Sequence, residues 1–186
     1  MHRSKNRFRL ADRPADYKRL DISPVEIAEF EDGQRIGTER SRYEWWYFDA
    51  HLDNGATIVV VFYTKPNVSP NSPLAPRITI NITLPDGRTF EKFLDTRPEL
   101  FNASKSGCDV RIGTNRFVGD LNRYHITATI EEISVEIELT GEVPAWRPKS
   151  GHLYFGVEGR EKLFAWLPSV SHGLASVRYR ITATAA

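Results

Sequence analysis

Glu44-Trp45-Trp46-Tyr47-Phe48-Asp49 decides how the rest of the chain reads. Two of the four tryptophans stand side by side here, flanked by Tyr43, Tyr47 and Phe48. The stretch has no helical period. As a strand it sends Glu44, Trp46, Phe48 and Ala50 to one face and Trp45, Tyr47, Asp49 and His51 to the other. Both faces are bulky and both carry a carboxylate. Such a strand is expected to be covered on both sides, because a row of exposed tryptophans makes a sticky patch. Asp53-Asn54-Gly55 follows, a strong hairpin signal. Thr57-Ile58-Val59-Val60-Val61-Phe62-Tyr63 is then a β-branched run too short for an ordinary helix. The hairpin reads as the centre of a closed β structure.

Downstream the strand signals continue. Residues 65–76 carry Pro66, Pro70, Pro73 and Pro76, which forbid regular structure and mark a long loop. Ile78, Ile80, Ile82 and Leu84 alternate with Arg77, Thr79, Asn81 and Thr83. Pro85-Asp86-Gly87 turns the chain and Thr89 to Leu94 returns it. Val110 and Ile112 precede a Gly113-Thr114-Asn115 turn. Ile126, Ala128 and Ile130 form one apolar face, and Val135, Ile137 and Leu139 another. His152 to Val157, Lys162 to Leu167 and Ala175 to Thr182 complete about eleven strand candidates with turns roughly every ten residues, the spacing of an antiparallel barrel or sandwich.

Upstream, Ser23-Pro24-Val25-Glu26 spells a helix start: Ser at the N-cap, Pro at the first helical position, Glu at the third. Ile22 and Ile27 stand at staple positions, and Asp32-Gly33 ends the pattern, so a short helix is expected over about residues 24–31. The Ser23 cap is worth about 1 kcal/mol on that reading.

The chain has 186 residues, 40% hydrophobic and 26% charged, which fits one soluble domain. Its net charge of +1 argues against nucleic-acid binding by the whole molecule. Residues 1–20 nevertheless hold Arg3, Lys5, Arg7, Arg9, Arg13, Lys18 and Arg19 against Asp12 and Asp16, a net +5 that leaves −4 for the remainder. A basic start of low apolar content reads as an arm, over residues 1–21, solvated or loosely docked on a single β domain at 22–186. Cys108 is the only cysteine, so no internal disulfide forms. That, and the lack of an apolar segment behind the basic start, leads to an expected cytoplasmic location. No apolar run reaches membrane-spanning length.

Glu44-Trp45-Trp46-Tyr47-Phe48, with its hairpin and apolar second strand, resembles the opening signature of the carotenoid 1,2-hydratase (hydroxyneurosporene synthase) family. That family includes the AttH-type proteins and the fungal Diels-Alderase-like pericyclases. Pro85-Asp86-Gly87, Phe117-Val118-Gly119-Asp120-Leu121 with Tyr124, and Trp146-Arg147-Pro148 with Gly151 look like further landmarks in the same order, over roughly residues 42–168. The resemblance implies a lipocalin-like β-barrel, the first of two in tandem, and an apolar isoprenoid- or polyketide-like ligand whose alkene is hydrated or cyclised. The acid usually proposed for the protonation belongs to a Gly-Tyr-x-Asp-His-type motif in the second domain, and nothing after Pro168 matches it. The resemblance therefore implies a ligand-binding domain that pairs with a second β domain or with another copy as a homodimer, rather than a complete active site.

The chemistry legible in the residues is limited. His2, His51, His125, His152 and His172 are not paired at ligand spacing, so no metal site is expected, and no cofactor. No phosphate loop and no nucleophile elbow is present. Glu44 and Asp49 are the candidate catalytic carboxylates. On opposite strand faces, only one of them looks into a cavity. A carboxyl in an apolar pocket has its pKa raised and becomes a proton donor, while electron-rich rings tolerate the cation that protonation of an alkene creates. The competing structural reading is that these carboxylates accept hydrogen bonds from nearby backbone or tryptophan N–H groups. Trp45, Trp46, Tyr47, Phe48, Tyr63 and Trp166 are the candidate ligand-binding residues, with Trp166 in core or cavity wall. Trp146, between Pro144 and Pro148, reads as a loop anchor. A non-enzymatic module that pairs with a separately encoded second β domain is the alternative function.

Overall fold

The computed structural model describes residues 6–37, 40–157 and 161–182. The protein is mostly β. Its strands are β1 (Asn6–Leu10), β2 (Trp45–His51), β3 (Thr57–Tyr63), β4 (Arg77–Thr83), β5 (Thr89–Asp95), β6 (Phe101–Ala103), β7 (Asp109–Ile112), β8 (Asn115–Gly119), β9 (Arg123–Ile130), β10 (Ile133–Gly141), β11 (His152–Val157), β12 (Lys162–Ala165) and β13 (Gly173–Ile181). They make three antiparallel sheets, ordered β2-β3-β4-β5, β13-β10-β9-β8-β7-β6 and β1-β11-β12. Among the described residues the pairing does not continue from one sheet to the next.

The two larger sheets meet through side chains instead. Alternation puts Ile78, Ile80 and Ile82 of β4 inward at no more than 1% exposure, and their neighbours Thr79 and Asn81 outward. Trp46, Phe48, Ile58, Val60 and Phe62 join them, facing Val110, Ile112, Phe117, Ile126 and Ile137 of the six-stranded sheet in one continuous core. Phe62 and Phe117 meet edge to face across the layers, with ring centroids 5.8 Å apart. The Asp53-Asn54-Gly55 hairpin forms as read: Gly55 takes φ +85°, and the Leu52 amide donates to the Ala56 carbonyl at 2.8 Å.

The N-terminal segment departs from the sequence reading in two ways. The single α-helix among the described residues is α1 (Pro14–Leu20), and no helix forms over 24–31. Ser23 Oγ does accept the Val25 and Glu26 amides at 3.1 Å each, as a cap should. However, the buried Arg147 guanidinium takes the carbonyls of Ser23 and Glu26 at 2.7 and 3.0 Å. Those oxygens are then committed to a side chain rather than left to accept helical amides, and only a 3-10 turn, Glu29–Asp32, follows. The true helix start was also written in the sequence, with Pro14 in the first turn and Asp16 accepting the Arg13 amide at 3.2 Å.

Nor is the described part of the basic segment, from Asn6 on, a loose arm; Arg3 and Lys5 lie outside the described residues. β1 pairs with β11 along its whole length. Arg9 holds Asp16 with two hydrogen bonds of 2.6 and 2.8 Å, and Arg19 adds a third at 3.2 Å. Both guanidiniums lie over the Tyr154 ring, 4.7 and 4.5 Å from its centroid. Arg9 and Arg19 thus spend their charge on an aromatic face and a buried carboxylate, while Arg13 and Lys18 are exposed.

Candidate functional site

The register of β2 with its neighbours builds two surfaces from the Trp45–Phe48 stretch. On the outer face Trp45 lies opposite Tyr63, and Tyr47 opposite Val61. The rows continue to Arg77 and Thr79 on β4, then to Asp95 and Phe93 on β5. Two residues further along, the row reads Asp49, Val59, Asn81 and Glu91, so the face grades from aromatic to polar along the strands. Arg77 is neutralised where it stands, bonded to Asp95 at 2.6 and 2.7 Å with its guanidinium 4.5 Å from the Phe93 ring centroid. Tyr43 stacks on Trp45 with centroids 5.5 Å apart and planes 25° apart. Phe164 of β12 also meets Trp45, with centroids 6.1 Å apart and planes tilted by 37°. Tyr43, Trp45, Tyr47, Tyr63 and Asn67 line an open cleft of about 170 Å³.

The inner surface holds a different chemistry. Glu44 sits at the entrance of β2, its side chain folded back so that one carboxylate oxygen accepts the Arg35 amide at 2.9 Å and the other the Ile36 amide at 3.4 Å. This is the structural role the sequence reading weighed against catalysis. Burial nevertheless pushes the Glu44 carboxyl up to about 7, against those amides and the Arg35 charge, and nearby Asp32 adds to the rise. Asp32, last residue of the 3-10 turn, accepts a short hydrogen bond from the Tyr124 hydroxyl. Burial raises Asp32 to about 6, while the Tyr124 and Cys108 side chains that bond it pull the other way. The Trp46 indole N–H donates to the Asp32 carbonyl at 3.2 Å, so the tryptophan is a strut between core and turn. The Cys108 thiol is pushed upward by burial, first of all, and by Asp32, which makes it a poor nucleophile.

The structure thus brings Trp45, Tyr47 and Tyr63 together on the cleft and sends Trp46 and Phe48, at 6% and 4% exposure, into the core. Asp49 stands exposed on the cleft face, two residues from Tyr47, while Glu44 lies on the other side, as alternation requires. Trp166 is neither core nor cleft wall: it follows β12 at 57% exposure and does not line the cleft. The expected cover over both faces of β2 is present on one face alone, since Tyr47 is 53% exposed. Trp146 is not the anchor of its loop either. Its side chain is 54% exposed, and Arg147 does the anchoring. Sequence reasoning missed Tyr43 and Asn67 in the cleft, Phe164 beside it, and Asp32 behind Trp46. Tyr43 was legible from the same period-2 alternation that places Trp45; the others converge from distant strands and loops.

On the opposite outer face, His125 of β9 faces Glu136 and Glu138 of β10, with one ligand atom of each within 4.8 Å of the others. Spacing along the chain hides this group because it assembles across strands. Arg178 of β13 already supplies a cation to Glu136 at 3.0 Å. An open groove of about 760 Å³ runs between Val25–Ile27, Leu121–Asn122 and Gly141–Ala145, beside the start of β9 and the end of β10. No protein-family model, curated protein or solved structure gives a significant match to the chain.

Proposed function

We propose that this chain is the ligand-binding part of a lipocalin-like protein of the carotenoid 1,2-hydratase and AttH type. Its outer aromatic face, with Trp45 at the centre, receives an apolar isoprenoid- or polyketide-like molecule. The observation that carries this reading is the cleft itself: four rings from Tyr43, Trp45, Tyr47 and Tyr63, continued by Phe164, left open on the surface of a sheet whose other face is fully packed. An open cleft of about 170 Å³ is smaller than the roughly 300–1,000 Å³ that encloses a typical ligand. A second β domain or a second copy of the chain supplies the missing wall. The exposed apolar side chains of the small sheet, Phe8, Phe155 and Phe164, extend the surface on which that wall would close.

Turnover is a separate matter. Glu44 has the proton affinity of a general acid but is turned toward the Arg35 and Ile36 amides, on the core side of β2. Asp49 shares the cleft face but is exposed to water. A positioned acid in a dry site is therefore what the partner must complete. A non-enzymatic binding or assembly module, pairing with a separately encoded second β domain, is the alternative, and the same open aromatic face supports it.

Tryptophan fluorescence titrated with farnesol or a polyene tests the reading. A saturable response is expected, weakened by Trp45→Phe and retained by Trp46→Phe, whose ring lies in the core. Hydrated product is expected only after the second half is added. Robust hydration by this chain alone, abolished by Glu44→Gln or Asp49→Asn, overturns the division of labour and makes the domain a complete enzyme.

A further inference from the structure

We infer that the Tyr43, Trp45, Tyr47 and Tyr63 cleft is an aromatic cage for a small organic cation, a methylated ammonium head group. The inference uses the cleft of the proposed function but not its apolar ligand, and each stands or falls separately.

Geometry comes first. Four of the five lining residues are an indole and three phenols, the rings whose faces attract cations most strongly. They converge from independent positions. Trp45 and Tyr63 are cross-strand partners, Tyr47 is the next outward residue of β2, and Tyr43 is held by its stack on Trp45. A cleft of about 170 Å³ is small beside the roughly 300–1,000 Å³ of sites that enclose a typical ligand, a size that suits a compact head group.

Charge comes second. Asp49 lies on the same outer face, one outward position beyond Tyr47, and its field reaches the Tyr47 phenol. Arg77 is the cation nearest the cleft along the rows, opposite Tyr63, and it is tied to Asp95 and the Phe93 ring. Of these two charged groups, Asp49 is exposed and Arg77 is already paired. Asn67 adds an amide at the rim.

Choline and its neutral isostere 3,3-dimethylbutan-1-ol decide the matter, titrated into the full chain at constant ionic strength and read by tryptophan fluorescence and by the Tyr and Trp ring proton shifts. Choline is expected to bind at least about threefold tighter than the isostere, the discrimination that a partly exposed cage provides. Trp45→Ala and Tyr47→Leu are expected to abolish that preference. Tyr47 is 53% exposed, so its variant folds even if Trp45→Ala does not, and the wild-type comparison needs no variant at all. Equal or absent binding of the two probes overturns the cage, whatever farnesol does. Farnesol failing to bind while choline is preferred leaves the cage in place and removes the apolar-ligand reading.

Discussion

Gly119 and Tyr124 are direct partners across β8 and β9, and a Cβ on Gly119 would run into the Tyr124 ring. That ring must lie flat on the glycine for its hydroxyl to reach both the Leu121 amide, at 3.1 Å, and the Asp32 carboxylate. Gly119→Ala is therefore expected to cost about 1–3 kcal/mol, the usual range for overpacking a core, measured by urea unfolding. Asp32 and Glu44 make a second prediction. Burial holds them at about 6 and about 7 in the folded chain, whereas both titrate near 4 when unfolded. Between about pH 4 and pH 7 the folded state binds more protons, so stability falls as pH rises through that window and levels off above it. The urea midpoint should be lower at pH 8 than at pH 5, with a smaller difference in Asp32→Asn. Asp16, pulled low by Arg9, acts in the opposite sense and only at more acid pH. His152, whose imidazole burial pulls low, acts in the opposite sense within the window, so the test is the difference between wild type and Asp32→Asn: an unchanged pH dependence in Asp32→Asn would mean that Asp32 is not buried as described.

At the scale of elements, one guanidinium organises the segment before β2. Arg147 and Glu31 are buried together, their side chains 4% and 6% exposed, and paired at 2.9 Å. Arg147 also binds the carbonyls of Ser23, Glu26 and Lys149. Removing it strands Glu31 without a cation, so Arg147→Met should destabilise by about 3–5 kcal/mol. Ser23→Ala should cost about 0.5 kcal/mol or less, below the cap value that a real helix would give, because no helix follows it. Equal losses in the two variants, read by thermal or urea unfolding, would show that the Ser23 turn matters as much as the pair. β1 and α1 form a similar unit around Tyr154 and Asp16, in which Arg9 and Arg19 are held in place.

The whole molecule presents a packed sandwich on one side of β2 and an open aromatic face on the other. Ring faces at this density are uncommon on a chain that works alone. Binding of a hydrophobic ligand without appreciable hydration is expected from residues 1–186, since losing one well-placed general acid costs roughly 10²–10⁴-fold in rate. Sedimentation velocity with and without ligand checks the related expectation that covering this face changes the assembly state. An unchanged monomer that binds ligand fully would place the missing wall within the chain.

The β class, the hairpin at Gly55, the alternation of β4 and the opposite facing of Glu44 and Asp49 were legible in the residues alone. All of these follow from a two-residue side-chain period and from turn residues whose backbone preferences are local. The sequence could not place the helix, because Ser23 and Arg13-Pro14 both offer starts, and a distant Arg147 takes the carbonyls that the first would need. Nor could it show that Trp46 is a strut and Trp45 a wall. Adjacent tryptophans are chemically alike, and only the packing of the six-stranded sheet decides which face is buried. Asp32, Tyr124 and Cys108 meet through the folding of β7–β9 against the turn before β2. The proton affinity of Asp32 and Glu44 is a product of that meeting, since desolvation exists only once the surrounding elements have closed.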